Sequence, residues 1–493
     1  MTFKQQVARS AAWVGFSTVV VKVLSFIAIT LVLARVLEPS DFGLVGIAWL
    51  AINALDFLRE LGISAALIYR QDDDDGVAAD VAFISLIVAG IVIYGVIFLV
   101  SPLIEQFFRD AYGLTPVLRT LGLVMIINSI GQTSYTLLAK DLQFRNKAIP
   151  EIIAGLVNSI LAIVLALRGF GVWALVFGYL ADGVVRSTLV WFFSSWRPKL
   201  RFDWQVWREM LSYGRHIVGS RIMIFGITNI DDALVGRMLG ATALGFYTFA
   251  YRLSNVPATH FTRLVNSIMF PAFSKIQQER DRVRRIFFDT IQAVALISVP
   301  LALATLVLGP NFIHNYYQGK WDPAILAMQW LVIYGLARSL AANMGNIYRA
   351  LGKPQWLTYL ATWRLITMGV LLVPAIWWRG IVGVSILSAI VAVVDFIIAT
   401  WLLNRLLASG YRPYFRRLGP IFLISGVSVG SAFLVMQVAP APHRLIPFLL
   451  ASIIMVLIYA VLSWFFEPAF RRITLGVLRQ LGPTRGLAAR LSA

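Results

Sequence analysis

The 493-residue sequence has no cysteine, which excludes both a disulfide framework and a thiolate metal site. It has only four histidines, His216, His260, His314 and His443. None stands in a metal-ligand spacing such as HExxH, so no metal and no other cofactor is assigned. Charge is also scarce, at 14% of residues, while 59% are hydrophobic and the mean hydropathy is +0.77. That balance excludes a soluble globule. The charge that exists is lopsided, with 43 Lys and Arg against 24 Asp and Glu and a formal net charge of +19. Nucleic acid does not account for the excess, because a nucleic-acid binder has no use for long uncharged runs between its basic clusters.

Apolar runs of about 20 residues, long enough to cross a hydrocarbon core of about 30 Å, recur with short breaks from residue 11 to residue 466. About fourteen are expected, with edges good to a few residues. The first follows Lys4 and Arg9, as a signal peptide does, but continues past Lys22 without a small-residue cleavage site, and it reads as a retained helix. With an inside N-terminus, one side of the membrane receives Lys140, Arg145 and Lys147, the group from Arg197 to Arg215, the group from Lys275 to Arg285, and the group from Arg405 to Arg417. The basic tail adds Arg471, Arg472, Arg479, Arg485 and Arg490. This asymmetry is expected of positive-inside insertion and makes both termini cytoplasmic, with the basic loops touching anionic headgroups. The acidic run Asp72 to Asp75 imitates the DxD of a sugar-nucleotide enzyme, but no soluble domain surrounds it and it reads as a solvated loop.

Sliding the chain along itself reveals a repeat. Leu33-Ala-Arg-Val-Leu37 falls on Val235-Gly-Arg-Met-Leu239, and at the same offset Gly43 meets Gly245, Ala48 meets Ala250 and Asn53 meets Asn255. The first two spans thus match the seventh and eighth. A unit of six spans is even, so the halves insert the same way about an axis along the membrane normal. The expected fold is therefore all-α: six-helix bundles at 1–205 and 206–410 around a central cavity, two further helices within 411–466, and a basic cytoplasmic tail at 467–493. Gly236 to Gly240 and Gly426 to Gly430 fit a small-xxx-small pattern, which points to tight packing within one chain, and a monomer is expected.

A charge at the bilayer centre costs about 2.5 to 3.5 kcal/mol on insertion scales, so charges inside the spans are candidate functional groups. Lys22 stands midway between Arg9 and Arg35, about 20 Å along a helix from each, too far to snorkel. Thr18 and Ser25 flank it, and both a cavity role and a structural ion pair remain open. In the eighth span Arg252, Asn255, Thr259, Arg263 and Asn266 recur at three- and four-residue steps and line one face. Its repeat partner carries Asn53, Asp56 and Glu60 at similar spacing, with Arg59 beside them, and the seventh span adds Arg221, Thr228, Asp231 and Asp232. The plainer alternatives are that Asp56 and Glu60 neutralise Arg59 and that Arg221 reaches the headgroups; for Arg221 the headgroups are preferred. A cavity holding several cations, aromatics and amides suits a ligand with an anionic diphosphate and hydroxyl-rich sugars.

The stretch from Asp232 to Pro257, DALVGRMLGATALGFYTFAYRLSNVP, followed by Phe270-Pro-Ala-Phe-Ser-Lys-Ile-Gln277, resembles the second-half signature of polysaccharide transporters in the multidrug/oligosaccharidyl-lipid/polysaccharide flippase superfamily. Leu142-Gln-Phe-Arg145, Gly169-Phe-Gly-Val-Trp-Ala-Leu175, Trp196-Arg-Pro198, Gly319-Lys-Trp-Asp-Pro323 and Leu351-Gly-Lys-Pro354 are similar to the same group, in particular the branch of colanic-acid and succinoglycan exporters. The resemblance covers about residues 5 to 405. It implies flipping of undecaprenyl-diphosphate-linked oligosaccharide from the cytoplasmic to the periplasmic leaflet by alternating access, without covalent chemistry. It also implies a bacterial inner-membrane location, and partners that are lipid-linked oligosaccharide, membrane lipids and polysaccharide polymerase or export proteins. The positions suited to the substrate are Lys22, Arg59, Arg252, Asn255, Arg263 and Asn266; those suited to ion coupling are Asp56, Glu60, Asp231 and Asp232.

Two rivals share the membrane setting. A membrane glycosyltransferase or polymerase calls for a sizeable outside domain with acid, base or metal groups, whereas the outside segments near 101–112 and 309–322 are short; His314 and Asp322 have no convincing partner in the sequence. A multidrug cation antiporter favours carboxylates and aromatics, and Asp56, Glu60, Asp231 and Asp232 keep that reading alive.

Overall fold

The computed structural model describes residues 3–70, 76–255, 269, 273–438 and 445–480. Among them every regular element is helical, as expected where a backbone in lipid must satisfy its own hydrogen bonds. In order these are α1 (Phe3–Phe26), a π-helical run (Ile27–Leu33), α2 (Ala34–Val36), α3 (Pro39–Glu60), α4 (Ile63–Tyr69), α5 (Val77–Phe107), α6 (Leu114–Gly122), α7 (Val124–Lys140), α8 (Phe144–Leu167), α9 (Val172–Phe193), α10 (Trp204–Leu239) and α11 (Ala241–Ser254). Then follow α12 (Arg280–Val307), α13 (Gly309–Tyr316), a 3-10 turn (Asp322–Ala324), α14 (Ile325–Ala341), α15 (Met344–Ala350), α16 (Gln355–Leu407), α17 (Arg412–Val438), α18 (Leu445–Phe466) and α19 (Pro468–Gln480).

Among the described residues, 11 helical stretches are long and apolar enough to cross a membrane. One of them, α16, is two helices joined by a sharp turn at Arg379 and Gly380, where Gly380 has φ 56° and ψ −134°. The glycine that opens α9, Gly171, has φ 55° and ψ −134°. A side chain is not tolerated in that region. The junctions between the fifth and sixth and between the eleventh and twelfth expected spans therefore turn through one glycine conformation. The remaining expected spans fall on α10, which is helical but more polar, and on α11 with its continuation, where residues 256–268 lie outside the described residues. The acidic run Asp72 to Asp75 also lies outside them.

The chain divides into two compact units, Met1–Thr248 and Phe249–Ala493. In both, the usual soluble pattern is inverted. Large apolar side chains such as Leu99 and Trp377 are about three-quarters exposed, at 75% and 76%, whereas Ser129, Thr133, Ser134, Ser298 and Ser339 are fully buried. Lipid removes the reward for hiding leucine, so helices associate through small residues that let backbones approach and through hydroxyls that bond locally.

In the first unit α8 packs on α9 and on α1, and α5 on α7. The closest approach is between α3 and α11. A Cβ on Gly43 would stand 1.8 Å from the Ala241 carbonyl oxygen, and a Cβ on Gly245 would stand 1.9 Å from the Pro39 carbonyl oxygen. The two contacts are mirror copies within the repeat: Gly43 is matched to Gly245 and Pro39 to Ala241, so each glycine rests on the counterpart of the residue its own counterpart touches. This reciprocity is what a two-fold relation imposes on a contact. In the second unit α14 packs on α16 and α17 on α18, around Phe273, Phe287, Ile291, Tyr348 and Leu403. Hydroxyls lock the helices, with Ser298 and Ser339 2.6 Å apart and the Tyr348 and Tyr459 hydroxyls donating to the Ala399 and Leu296 carbonyls at 2.6 Å each.

Because backbone fills the space, Gly43→Val or Gly245→Val is expected to force α3 and α11 apart and cost about 1 to 3 kcal/mol, while Gly95→Ala, which meets nothing within 4 Å, is expected to be neutral. Thermal unfolding of the detergent-solubilised variants checks this; equal midpoints for all three contradict it.

Candidate functional site

The capping box that starts α3, in which the Asp41 carboxylate accepts from the Glu38 amide at 3.0 Å, sets the phase of the helix. Its stop, at Leu61 (φ 45°) and Gly62 (φ 71°), puts Glu60 at the end. Asn53, Asp56 and Glu60 thereby share one face. Gly62 and Gly214 touch through their backbones, a Cβ on the former lying 2.4 Å from the Gly214 Cα. This draws α10 against the end of α3, and two turns onward Arg221 forms an ion pair with Glu60. Phe57 and Phe225 meet edge to face beside it.

Arg59 points the other way. Its Nε donates to Asp56 Oδ1 at 2.7 Å and its Nη1 donates to the Ser129 hydroxyl of α7 at 3.1 Å. The guanidinium is 4% exposed, and its charge is compensated. On α9, Arg186 pairs with Asp182 one turn earlier. A third group gathers at Glu151 of α8, which accepts from the Tyr135 and Ser17 hydroxyls, with the Lys147 ammonium 4.2 Å from the Tyr135 ring centre.

Two cavities open on these helices, and Asn53 and Asp56 line both. One, of about 350 Å³, lies between α3 and α10 and also takes Arg221, Thr228 and Asn229. The other, of about 360 Å³, takes Asn128, Asn158, Tyr179, Asp182 and Arg186. Carboxylates and guanidiniums are balanced here as Asp56–Arg59, Glu60–Arg221 and Asp182–Arg186. The walls also offer amides and hydroxyls beside apolar and aromatic side chains such as Phe57, Phe225, Trp49 and Met125, and the Arg186 and Arg221 side chains stay about two-fifths open, at 39% and 40%. Such a surface can hydrogen-bond sugar hydroxyls and offer guanidinium to a phosphate.

The structure thus brings Asp56, Arg59 and Glu60 together and corrects one expectation. Arg221 does not run to the headgroups but pairs with Glu60, because the backbone contact at Gly62 and Gly214 holds the helices at ion-pair range. Lys22, on exposed α1 surface, and Asp231 and Asp232 line neither cavity; Asp231 accepts from the fully buried Tyr247 hydroxyl at 2.7 Å. Arg252 and Asn255 belong to the second unit, the former exposed and the latter buried, its amide donating to the Tyr251 carbonyl at 3.3 Å. Thr259, Arg263 and Asn266 lie outside the described residues. Sequence reasoning passed over Asn128, Asn158, Asp182, Arg186 and Glu151. The signal was present: Asp182 and Arg186 stand four apart inside an apolar span, the same anomaly that singled out Asp56.

Helices that cross a membrane and bury compensated charge beside small cavities define a polytopic membrane protein of transporter fold. The chain belongs to the polysaccharide biosynthesis protein family, whose model matches residues 32–326, as the resemblance of its motifs implied. It is 27% identical over 432 residues to the lipopolysaccharide biosynthesis protein WzxC of Escherichia coli strain K12, covering 86% of each chain. It is also 27% identical over 444 residues to the teichuronic acid biosynthesis protein TuaB of Bacillus subtilis strain 168, covering 88% of this chain and 91% of that one. In fold it matches the lipid II flippase MurJ in an inward closed conformation, with a TM-score of 0.71 at 14% identity over 92% of this chain and 98% of that chain. An inward-facing multidrug resistance transporter of the MATE family, from the MOP superfamily, matches with a TM-score of 0.59 at 16% identity over 78% and 95%.

Removing one partner of a buried ion pair leaves an uncompensated charge, which costs about 3 to 5 kcal/mol. Asp56→Leu is therefore expected to destabilise the protein by that order, and Asp56→Leu with Arg59→Met to recover most of the loss. Thermal unfolding of both variants decides it; a double variant no better than the single one contradicts the pairing.

Proposed function

We propose that this chain flips an undecaprenyl-diphosphate-linked oligosaccharide from the cytoplasmic to the periplasmic leaflet of a bacterial inner membrane, for exopolysaccharide or lipopolysaccharide synthesis. It does so by alternating access of its two six-helix halves, with both termini cytoplasmic. The similarity to the polysaccharide biosynthesis proteins WzxC and TuaB and the fold shared with the lipid II flippase MurJ support the substrate class, and membership of the polysaccharide biosynthesis family supports the pathway. The observation that carries the reading is the pairing of the carboxylates that line the cavities, Asp56 and Asp182, and of Glu60 on the same helix face as Asp56. Asp56, Glu60 and Asp182 each face an arginine, so they are not free to hold a cationic drug, while the amides and the open faces of Arg186 and Arg221 fit a glycan and a phosphate. This disfavours the cation antiporter despite the shared fold.

In this reading no bond is made or broken. The protein supplies a polar path for a headgroup that the hydrocarbon would reject. Lys22, Arg252 and Arg263 are the cations suited to the diphosphate, joined by Arg186, with Asn255 and Asn266 suited to the sugars. Arg59 serves as the buried partner that orients Asp56. Asp231 and Asp232, or Asp56 and Glu60 at a stage of the cycle in which their arginines turn to the substrate, are the places where a proton or sodium ion would couple transport.

Translocation of a fluorescent diphosphate-linked oligosaccharide lipid in proteoliposomes tests this. Lys22→Ala, Arg186→Ala and Arg263→Ala are each expected to slow transport by about tenfold or more, equivalent to about 1.4 kcal/mol, at wild-type levels of folded protein. Wild-type rates in all three would remove the site assignment. Efflux of a lipophilic cation without any lipid flipping would overturn the function.

A further inference from the structure

A further cavity lies far along the chain from the polar groups above, within the second unit. It measures about 940 Å³ and is framed by the starts of α12, α17 and α19. Six arginines line it: Arg284, Arg285, Arg412, Arg416, Arg417 and Arg472. Arg284 pairs with Asp281 and Arg417 with Asp289. The one carboxylate in the lining, Glu467, is 3% exposed and accepts from the Gln292 amide at 2.7 Å; Gln292 Oε1 in turn accepts from Arg417 at 3.4 Å. No carboxylate among the described residues pairs with the remaining four, Arg285, Arg412, Arg416 and Arg472.

Their placement is costly. A helix start carries partial positive charge and favours acidic residues; α19 has Glu467 just before it, already held by Gln292, but α17 has no acidic residue in its first turn and opens with Arg412, Arg416 and Arg417. Like charges crowded at the start of α17 repel one another and the dipole. An anion in the cavity would relieve both effects and find backbone and guanidinium donors together. The rim says what kind of anion. Phe466, which lines the cavity, is 69% exposed, at the end of a helix that is itself membrane-spanning by length and composition. A soluble anion has no use for this ring, whereas acyl chains do.

We infer that this cavity holds the phosphate-bearing headgroup of an anionic membrane lipid, bound as a resident ligand with its acyl chains over Phe466. Four guanidiniums without carboxylates match a headgroup with two phosphates better than one with a single phosphodiester. The site shares no residue with the two cavities of the first unit and does not depend on which substrate is moved. Basic pockets between membrane helices are suited to such headgroups.

The full chain, relipidated in phosphatidylcholine, is titrated with diphosphatidylglycerol, phosphatidylglycerol or free pyrophosphate. Bound lipid is counted by native mass spectrometry, and stability is followed by thermal unfolding. One diphosphatidylglycerol is expected to bind per chain and raise the midpoint, phosphatidylglycerol to bind more weakly, and pyrophosphate to have little effect at equal concentration. Arg412→Gln with Arg416→Gln, both at exposed positions, is expected to weaken binding about tenfold, and Arg285→Gln alone to do so by a smaller factor. Arg208→Gln with Arg215→Gln, on α10, is expected to leave it unchanged. Equal binding by wild type and the cavity variants, or equal loss in the α10 control, would overturn the site. Pyrophosphate matching the lipid would overturn the assignment to a lipid.

Discussion

A charged side chain at bilayer depth must find its counter-charge inside the protein, because no water or headgroup is in reach. The Asp56–Arg59 pair is where the first unit meets this demand most completely. Arg59 is buried, and Ser129 completes its hydrogen bonding. Ser129 can come that close because α5 presents Gly90 there, where a Cβ would fall 2.4 Å from the hydroxyl oxygen. The ion pair lies within α3, the Arg59–Ser129 hydrogen bond ties that helix to α7, α5 packs against the same serine at Gly90, and Asp56 keeps an open side facing both cavities. Glu60–Arg221 and Asp182–Arg186 extend the same solution to α10 and α9. Together they produce a lining that is polar yet nearly neutral, which is tolerable in a membrane and suited to a hydroxyl-rich passenger.

Where charge is left uncompensated, it lies elsewhere. The arginines around the starts of α12, α17 and α19 gather beside the exposed Phe466 ring in the second unit. There anionic lipid can supply what the chain does not. The two polar regions therefore differ in kind: one is balanced internally, the other is completed from outside.

Much of the fold was legible in the sequence, because long apolar runs and basic loops follow from the bilayer itself. The repeat was legible too, through Gly43 and Gly245, since a residue that must have no side chain cannot drift. Its physical reason, the reciprocal contact with Ala241 and Pro39, needed the structure. Helical spacing correctly put Asn53, Asp56 and Glu60 on one face, but partners lie on other helices. Nothing local tells Arg221 that Glu60 is near, and snorkelling was the reasonable expectation until the backbone contact at Gly62 and Gly214 was seen. Asp182 and Arg186 were missed because their charges cancel one turn apart, so the span that holds them still reads as apolar. Arg263 and Asn266 keep only their place in the sequence pattern.

The most direct test of the account is ligand binding to the purified wild-type chain, comparing undecaprenyl diphosphate with a lipophilic organic cation of similar apolar size by intrinsic tryptophan fluorescence. Compensated carboxylates and open guanidiniums require saturable binding of the diphosphate lipid and none of the cation. Saturable binding of the cation, with the diphosphate lipid inert, would contradict the account at its base.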